Sequence, residues 1–270
     1  MAEDFLKQMA ESSAARAEAA NEVLASQLDR PLFPLQLNGF DLIAEIKNTS
    51  PSEGELNMAG RSRKDSAIAY AGAGAAAISV LTEPSRFSGE LSHLDEVAHV
   101  AAGYQVPVMR KDFLVSALQV MEARASGASG VLLIVAMLTD AQLGNLLACA
   151  WEHSMFVLLE SFDQTDLDRT HKLLQSEHVQ EQVAANRLLV GVNTRNLRTL
   201  KVDNNRLANL ASFLPKEAVC VAESGLRLPE DATAAKRRGY SAALVGSALM
   251  RSGDPAKLIS DMLAAGRSAA

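Results

Sequence analysis

The sequence predicts an α/β chain folded as a closed (β/α)8 barrel, the TIM barrel, and three observations carry that prediction. Eight short β-branched or aliphatic runs recur along the chain, a polar, alanine-rich helical stretch separates each from the next, and no glycine-rich turn follows the first run. Continuous apolar strands spaced by helices pair in parallel, because a parallel connection needs a crossover helix that then covers the sheet. Eight such units in about 250 residues match a closed barrel better than an open doubly wound sheet. The open sheet is the alternative, and it calls for a phosphate-binding turn after the first strand. The Gly72-Ala73-Gly74 triplet precedes a strand instead, so it reads as helix-end and packing glycine.

The N-terminal stretch MAEDFLKQMAESSAARAEAANEVLA mixes acids, bases and alanines without a continuous apolar core. It reads as an amphipathic helix and not as a secretory signal or membrane span, and its repeated Glu and Asp argue against a transit peptide. Residues 1–39 are expected to form an N-terminal helical extension and residues 40–270 the barrel. The strand runs are LIAEIK, AAISVLT, VPVMRKD, GVLLIV, MFVLLES, LLVGVN, VCVAES and AALVGS, with no linker or low-complexity tract between them.

Composition narrows the function classes. The net charge is -6 and no Lys/Arg block stands out, so a nucleic-acid partner has no electrostatic support. A small anionic substrate can still be met by a few local cations. Cys149 and Cys220 each lie inside apolar runs and read as buried free thiols, which points to a reducing compartment and makes cytoplasm the default. The histidines (His93, His99, His153, His171 and His178) fall in helices or their flanks without metal-ligand spacing, so no metal is expected. Trp151 reads as packing, and EDATAAKRRG as a solvated helix face.

In a (β/α)8 barrel the active site lies at the C-terminal ends of the strands. Ionisable and polar groups collect there: Glu45 and Lys47 on the first strand, Lys111 and Asp112 on the third, Glu160 on the fifth, Asn193 and Arg195 on the sixth, Glu223 and Ser224 on the seventh. Glu45 and Lys47 could instead pair as a structural bridge, but buried pairs give little net stability because both charges lose water. Lys111 alone could be a solvated strand end. Glu160 follows four apolar residues, where a carboxylate is either paired with a lysine or tuned upward by burial. Asn193 and Arg195 could merely open a loop. For phosphate, the SGL after the seventh strand and the VGSALM after the eighth offer backbone N–H groups near a helix N-terminus, at the place where barrels frequently bind phosphate.

In order along the chain, IAEIKNTSPSEG, ISVLTEPSRFSGELSHL, PVMRKDFLV with Gln119 following, EARASGASGVLLIVAML, GVNTRNL, AESGL and LVGSALM resemble the indole-3-glycerol phosphate synthase family of tryptophan biosynthesis, over residues 40 to 252. The resemblance implies closure of an indole ring from 1-(2-carboxyphenylamino)-1-deoxyribulose 5-phosphate, with loss of carbon dioxide and water and without cofactor or metal. Carried over by position, it makes Lys111 the general acid at the ketone, Lys47 a substrate-orienting group that assists dehydration, and Glu160 the proton exchanger of the later steps. Glu45 would position and tune the lysines, Asn193 and Ser224 would hydrogen-bond the substrate, and Glu223 would be a further acid. Gly225, Gly246 and Ser247 match the phosphate site, Arg195 the anthranilate carboxylate, and Ser50 and Pro51 the neighbouring loop. Phe87, Phe113, Leu132 and Leu197 resemble the pocket for the aromatic ring, although each could equally be core.

A lysine works as an acid near neutral pH only if its pKa drops from about 10.4; clustered cations and partial burial push that way, nearby carboxylates oppose, and the sequence leaves the value open. Three departures from the family pattern stand out. Asn48 replaces a usual basic residue, SPSEG puts Glu53 where lysine is common, and Glu160-Ser161-Phe162 replaces Glu-Val-His. They reduce positive charge around the first loop and keep open a paralogue acting on a related sugar-phosphate aryl amine. A catalytically silent phosphate-binding barrel is the other reading. A monomer or weak homo-oligomer acting on a small phosphorylated molecule, with no membrane or nucleic-acid partner, completes the expectation.

Overall fold

The computed structural model describes residues 5–47, 49–50, 54–55, 60–197, 202–203 and 205–269. Asn48, Pro51 and Glu53 lie outside the described residues. All eight predicted runs form strands: β1 (Asp41–Ile46), β2 (Ala77–Leu81), β3 (Val108–Lys111), β4 (Gly130–Ile134), β5 (Phe156–Ser161), β6 (Leu188–Asn193), β7 (Val219–Glu223) and β8 (Ala242–Val245). Each pairs in parallel with its neighbours in sequence, and β1 pairs with both β2 and β8, which closes the barrel. A short antiparallel hairpin, Thr49–Ser50 with Gly54–Glu55, follows β1 and was not foreseen.

Strand alternation sorts the side chains into two cores. Leu42, Ala44 and Ile46 of β1 point outward, as do Ile78, Val80, Val131, Leu133, Val157, Leu159, Val190 and Ala222, and pack against the surrounding helices. Ile43, Met109, Leu132, Leu158, Leu189, Val221, Ala242 and Leu244 point inward and fill the barrel. The helices start where the sequence supplies caps: the side chains of Ser62, Ser116, Thr139 and Asp163 each accept a backbone N–H of the first turn. Gly74 follows the helix Arg63–Gly72 at φ +90, the helix-end role expected of that triplet.

The N-terminal helix α1 (Phe5–Glu18) lies across the top of the barrel, with Phe5, Leu6, Met9 and Ser13 buried. Its apolar face joins the interior core beside Phe113, Ile134, Phe162 and Leu197. Each of these apolar residues contributes about 1.5–3 kcal/mol on burial, before the entropy of ordering the segment. Phe162, one of the departures noted above, is therefore part of the seat for this helix. Both cysteines are free; Cys220 is buried as expected, but Cys149 is only half-buried, because its helix turns that position towards the surface. Among the described residues no helix is long and apolar enough to cross a membrane.

Candidate active site

Five strands change character at one height. Going up their inward faces, Ile43 is followed by Glu45, Met109 by Lys111, Leu158 by Glu160, Leu189 and Gly191 by Asn193, and Val221 by Glu223. The apolar filling thus gives way to a polar layer at the C-terminal rim. Within it the ions form a chain. Glu45 Oε1 lies 2.8 Å from Lys47 Nζ and Glu45 Oε2 3.9 Å from Lys111 Nζ, while Lys111 Nζ is 3.7 Å from Glu160 Oε2. Asn193 Nδ2 donates to that same Glu160 oxygen at 3.0 Å, and Asn193 Oδ1 accepts the Arg195 amide at 2.9 Å, which fixes the amide's orientation.

Charge states follow from these neighbours. Burial alone would raise the pKa of Glu45, but Lys47 and Lys111 outweigh it and hold the group below the ordinary carboxylate range. Burial would pull Lys111 down; Glu160, Glu45 and Glu223 together outweigh burial and push it above the ordinary lysine value. Of the opposing influences on Lys111 the carboxyl groups therefore prevail, because three of them face it and the cations do not dominate. Glu223 goes the other way from Glu45: burial, then the charge of Glu160, raise it well above its ordinary value. Among the described residues neither Glu223 oxygen has a hydrogen-bond partner. Gly191 makes room for this group, since a Cβ there would overlap Glu223 Oε1.

Above the polar layer lies a cavity of about 370 Å³ whose wall includes Glu45, Lys47, Lys111, Asn193, Arg195 and Ser224. That volume falls within the range of small-molecule sites. Phe87, Phe113, Leu132 and Leu197 line one part of it, and Gly225, Gly246 and Ser247 another, so the predicted ring and phosphate residues all reach the same space. Phe87 and Phe113 pack with ring centroids 6.2 Å apart. Glu160 and Glu223 are fully buried beneath. The backbone of Ser50 lies in the short hairpin, and Pro51 is outside the described residues.

The two anion-side loops have unusual backbones. Ser224 (φ +65) and Gly225 (φ +83) are consecutive left-handed residues. For serine that conformation costs about 1–2 kcal/mol, and such strain concentrates at functional sites. Gly246 begins the helix Ser247–Arg251, and a Cβ on it would overlap the Glu45 carboxylate.

Sequence reasoning missed several wall residues: Leu81, Ile134, Leu244, Arg227 and Arg251. The first three follow from strand parity, since each stands two positions beyond an inward residue; Arg227 sits on the loop after β7 and Arg251 at the end of the helix Ser247–Arg251, and neither carried such a signal. The sequence also placed Asp112 among the charges at the rim. The residue borders the cavity, yet its carboxylate is buried and fully engaged elsewhere. Arg16 of α1 donates to it twice, at 2.9 and 2.8 Å, Thr82 Oγ1 at 2.8 Å, Arg110 Nη2 at 3.1 Å and the Phe113 amide at 2.8 Å. Despite burial, the bond from Arg16 and the charges of Arg110 and Arg16 hold its pKa down to about 2. Among the described residues no cluster of three or more His, Cys, Asp or Glu could hold a metal ion.

With this geometry in view, comparison with known proteins is decisive. The family model for indole-3-glycerol phosphate synthase matches residues 7–262. The chain belongs to that family. A protein named indole-3-glycerol phosphate synthase from Paenarthrobacter aurescens is 42% identical over 86% of this chain and 79% of its own length. One of the same name from Nocardioides sp. is 41% identical over 92% and 90% respectively. Among solved structures, 3-hexulose-6-phosphate synthase from Salmonella typhimurium superposes with TM-score 0.59 at 14% identity, covering 84% of this chain and 98% of that one. Thiamine phosphate pyrophosphorylase from Pyrococcus furiosus does so with TM-score 0.57 at 15% identity, covering 84% and 96%. At such identities the likeness concerns the barrel alone.

Proposed function

We propose that this indole-3-glycerol phosphate synthase family member is a carboxy-lyase that closes the indole ring of 1-(2-carboxyphenylamino)-1-deoxyribulose 5-phosphate in tryptophan biosynthesis. The observation that carries the reading is Lys111: a buried ammonium ringed by Glu45 and Glu160 at the floor of a cavity with an aromatic wall and glycine loops. The phosphate is held by Gly225, Gly246 and Ser247, the anthranilate carboxylate by Arg195, and the ring by Phe87, Phe113, Leu132 and Leu197.

In the first step the ring carbon that bears the carboxylate attacks the ketone carbon, and Lys111 donates its proton to the ketone oxygen. An acid with a raised pKa suits this task, since it is fully protonated beforehand and the nascent alkoxide is a stronger base than the amine. Carbon dioxide then leaves, and its electron pair restores the six-membered ring. In the second step the new hydroxyl takes a proton and departs as water, pushed by the ring nitrogen and assisted by Lys47. Glu160 accepts the proton from the adjacent carbon, which completes the pyrrole. Glu160 then passes that proton to Lys111, 3.7 Å away, which gave up its own at the ketone; Glu223 stays protonated beside Glu160 as a further acid, Glu45 keeps both lysines charged and placed, and Asn193 and Ser224 orient the substrate hydroxyls. Every step is a proton transfer or an electrostatic stabilisation, so the scheme calls for no cofactor.

Residues 1–39 act in this reading as the extension that roofs the aromatic pocket, and residues 40–270 as the catalytic barrel. The net charge of -6 fits a cytoplasmic enzyme that works as a monomer or weak homo-oligomer without nucleic acid. Incubating the purified protein with the carboxyphenylamino-deoxyribulose phosphate and following indole fluorescence tests the activity. Product formation is expected; none, under conditions where an authentic synthase turns over, overturns the assignment.

A further inference from the structure

Lys111, Asp112 and Phe113 are consecutive, and they do three different things. Lys111 points into the barrel towards Glu160 and Glu45. Asp112 takes both guanidinium nitrogens of Arg16, and its side chain is completely buried. Phe113 meets the ring of Phe5 edge-on, with centroids 5.9 Å apart. Helix α1 therefore grips this tripeptide at two of its three residues, through Arg16 in its last turn and Phe5 at its start. A third tie comes from Gln119, whose Nε2 donates to Ser13 O at 3.1 Å and Ser13 Oγ at 2.8 Å while its Oε1 accepts the Val115 and Ser116 amides. The segment leaving β3 is thus fastened to α1 at Asp112 and at two points beyond it.

We propose that Arg16 is a positioning residue for the reaction: through Asp112 it sets the height and direction of Lys111 at the rim. Alternate residues of a strand project to opposite faces, so a force that holds Asp112 outward fixes the backbone from which Lys111 projects inward. Lys111 sits 3.7 and 3.9 Å from its two carboxylates, which are long contacts that a small displacement would break or shorten. Misplacing a reacting group by about 1 Å can cost on the order of a hundred-fold in rate. Arg110, which also bonds Asp112, belongs to β3 itself and moves with it. Two ties come from other elements, Thr82 just beyond β2 and Arg16 of α1, 96 residues away in sequence, and of these Arg16 brings a charge and two hydrogen bonds.

This inference rests on Lys111 as the acid, and the experiment separates the two. Steady-state kinetics of Arg16→Met, measured well below its melting temperature, should show kcat down by about ten- to a hundred-fold with KM nearly unchanged. A helix that served only to roof the pocket would give the opposite split, a raised KM with kcat intact. Arg16→Ala should regain kcat when free guanidinium is added, because the ion refills the same two hydrogen bonds. Asp112→Asn, which keeps the shape and loses the charge, should repeat the kcat loss without being rescued. If kcat of Arg16→Met equals that of the unaltered protein while Lys111→Ala is inactive, the positioning role is wrong and the acid stands. If Lys111→Ala turns over normally, the reading of Lys111 itself fails.

Discussion

Asp112 and Glu223 are both buried carboxyl groups at the top of the barrel, and they have been pushed in opposite directions. Asp112 accepts five hydrogen bonds and faces two guanidinium groups, so it stays ionised with a pKa near 2. Glu223 has no conventional donor on either oxygen and faces Glu160, so it keeps its proton far above the usual range. Burial works against the charge in both. What separates them is whether the surroundings supply positive charge or another carboxylate. One group is a fastener, whose value lies in never changing state; the other is a store of a proton next to the group that must exchange one.

The sharpest way to break the comparison is to remove the cation between them and the substrate. Lys111→Ala should lower turnover by about a thousand-fold or more, a general-acid loss, while circular dichroism stays native. Asp112→Ala should act on the fastener instead. It takes away the carboxylate that the half-buried Arg16 bonds and one of the two that Arg110 bonds, and should lower unfolding stability by about 3 kcal/mol in a urea titration. Glu223→Gln mimics the protonated state, so its stability should match the parent within about 1 kcal/mol, whereas turnover should fall by about ten-fold or more. Equal stability losses in the two carboxyl variants would erase the distinction.

The smallest effect is a pH slope. The folded pKa of Asp112 is depressed, so its contribution is complete above the unfolded value of about 3.9 and is lost as pH falls towards 2. That window should account for about 2 kcal/mol of acid destabilisation, and Asp112→Asn should flatten it. Glu223 has a raised pKa and so weakens the fold as pH rises from the unfolded value, which adds the opposite slope above that window.

The same comparison explains what could be read from the sequence. The barrel was legible because each strand is a local run of apolar residues and each helix a local cap and pattern. Lys111 and Glu160 were legible because a charge at the end of such a run is conspicuous. The separation of Lys111 from Asp112 was available from parity but was obscured when both were counted as rim charges. The partner of Asp112 was not legible: Arg16 lies in a helix whose sequence shows only amphipathicity, and nothing local announces a contact across 96 positions. The Lys111 pKa stayed open for a related reason, since its direction depends on how three carboxyl groups from β1, β5 and β7 converge. Glycines 191 and 246 were read as turn or phosphate residues, or not at all, because the side chains that need their space come from other strands.

Gly246 carries a consequence for redesign of this barrel. A side chain placed there would press on Glu45 and approach Lys47 Nζ at 3.1 Å. The loop assigned to phosphate and the ion pair assigned to chemistry therefore share one volume. Laboratory evolution towards a substrate with a smaller or uncharged tail would ordinarily fill that loop with bulk. In this molecule such a change would disturb the proton-handling groups in the same step, so substrate range and proton handling cannot be adjusted independently at this position.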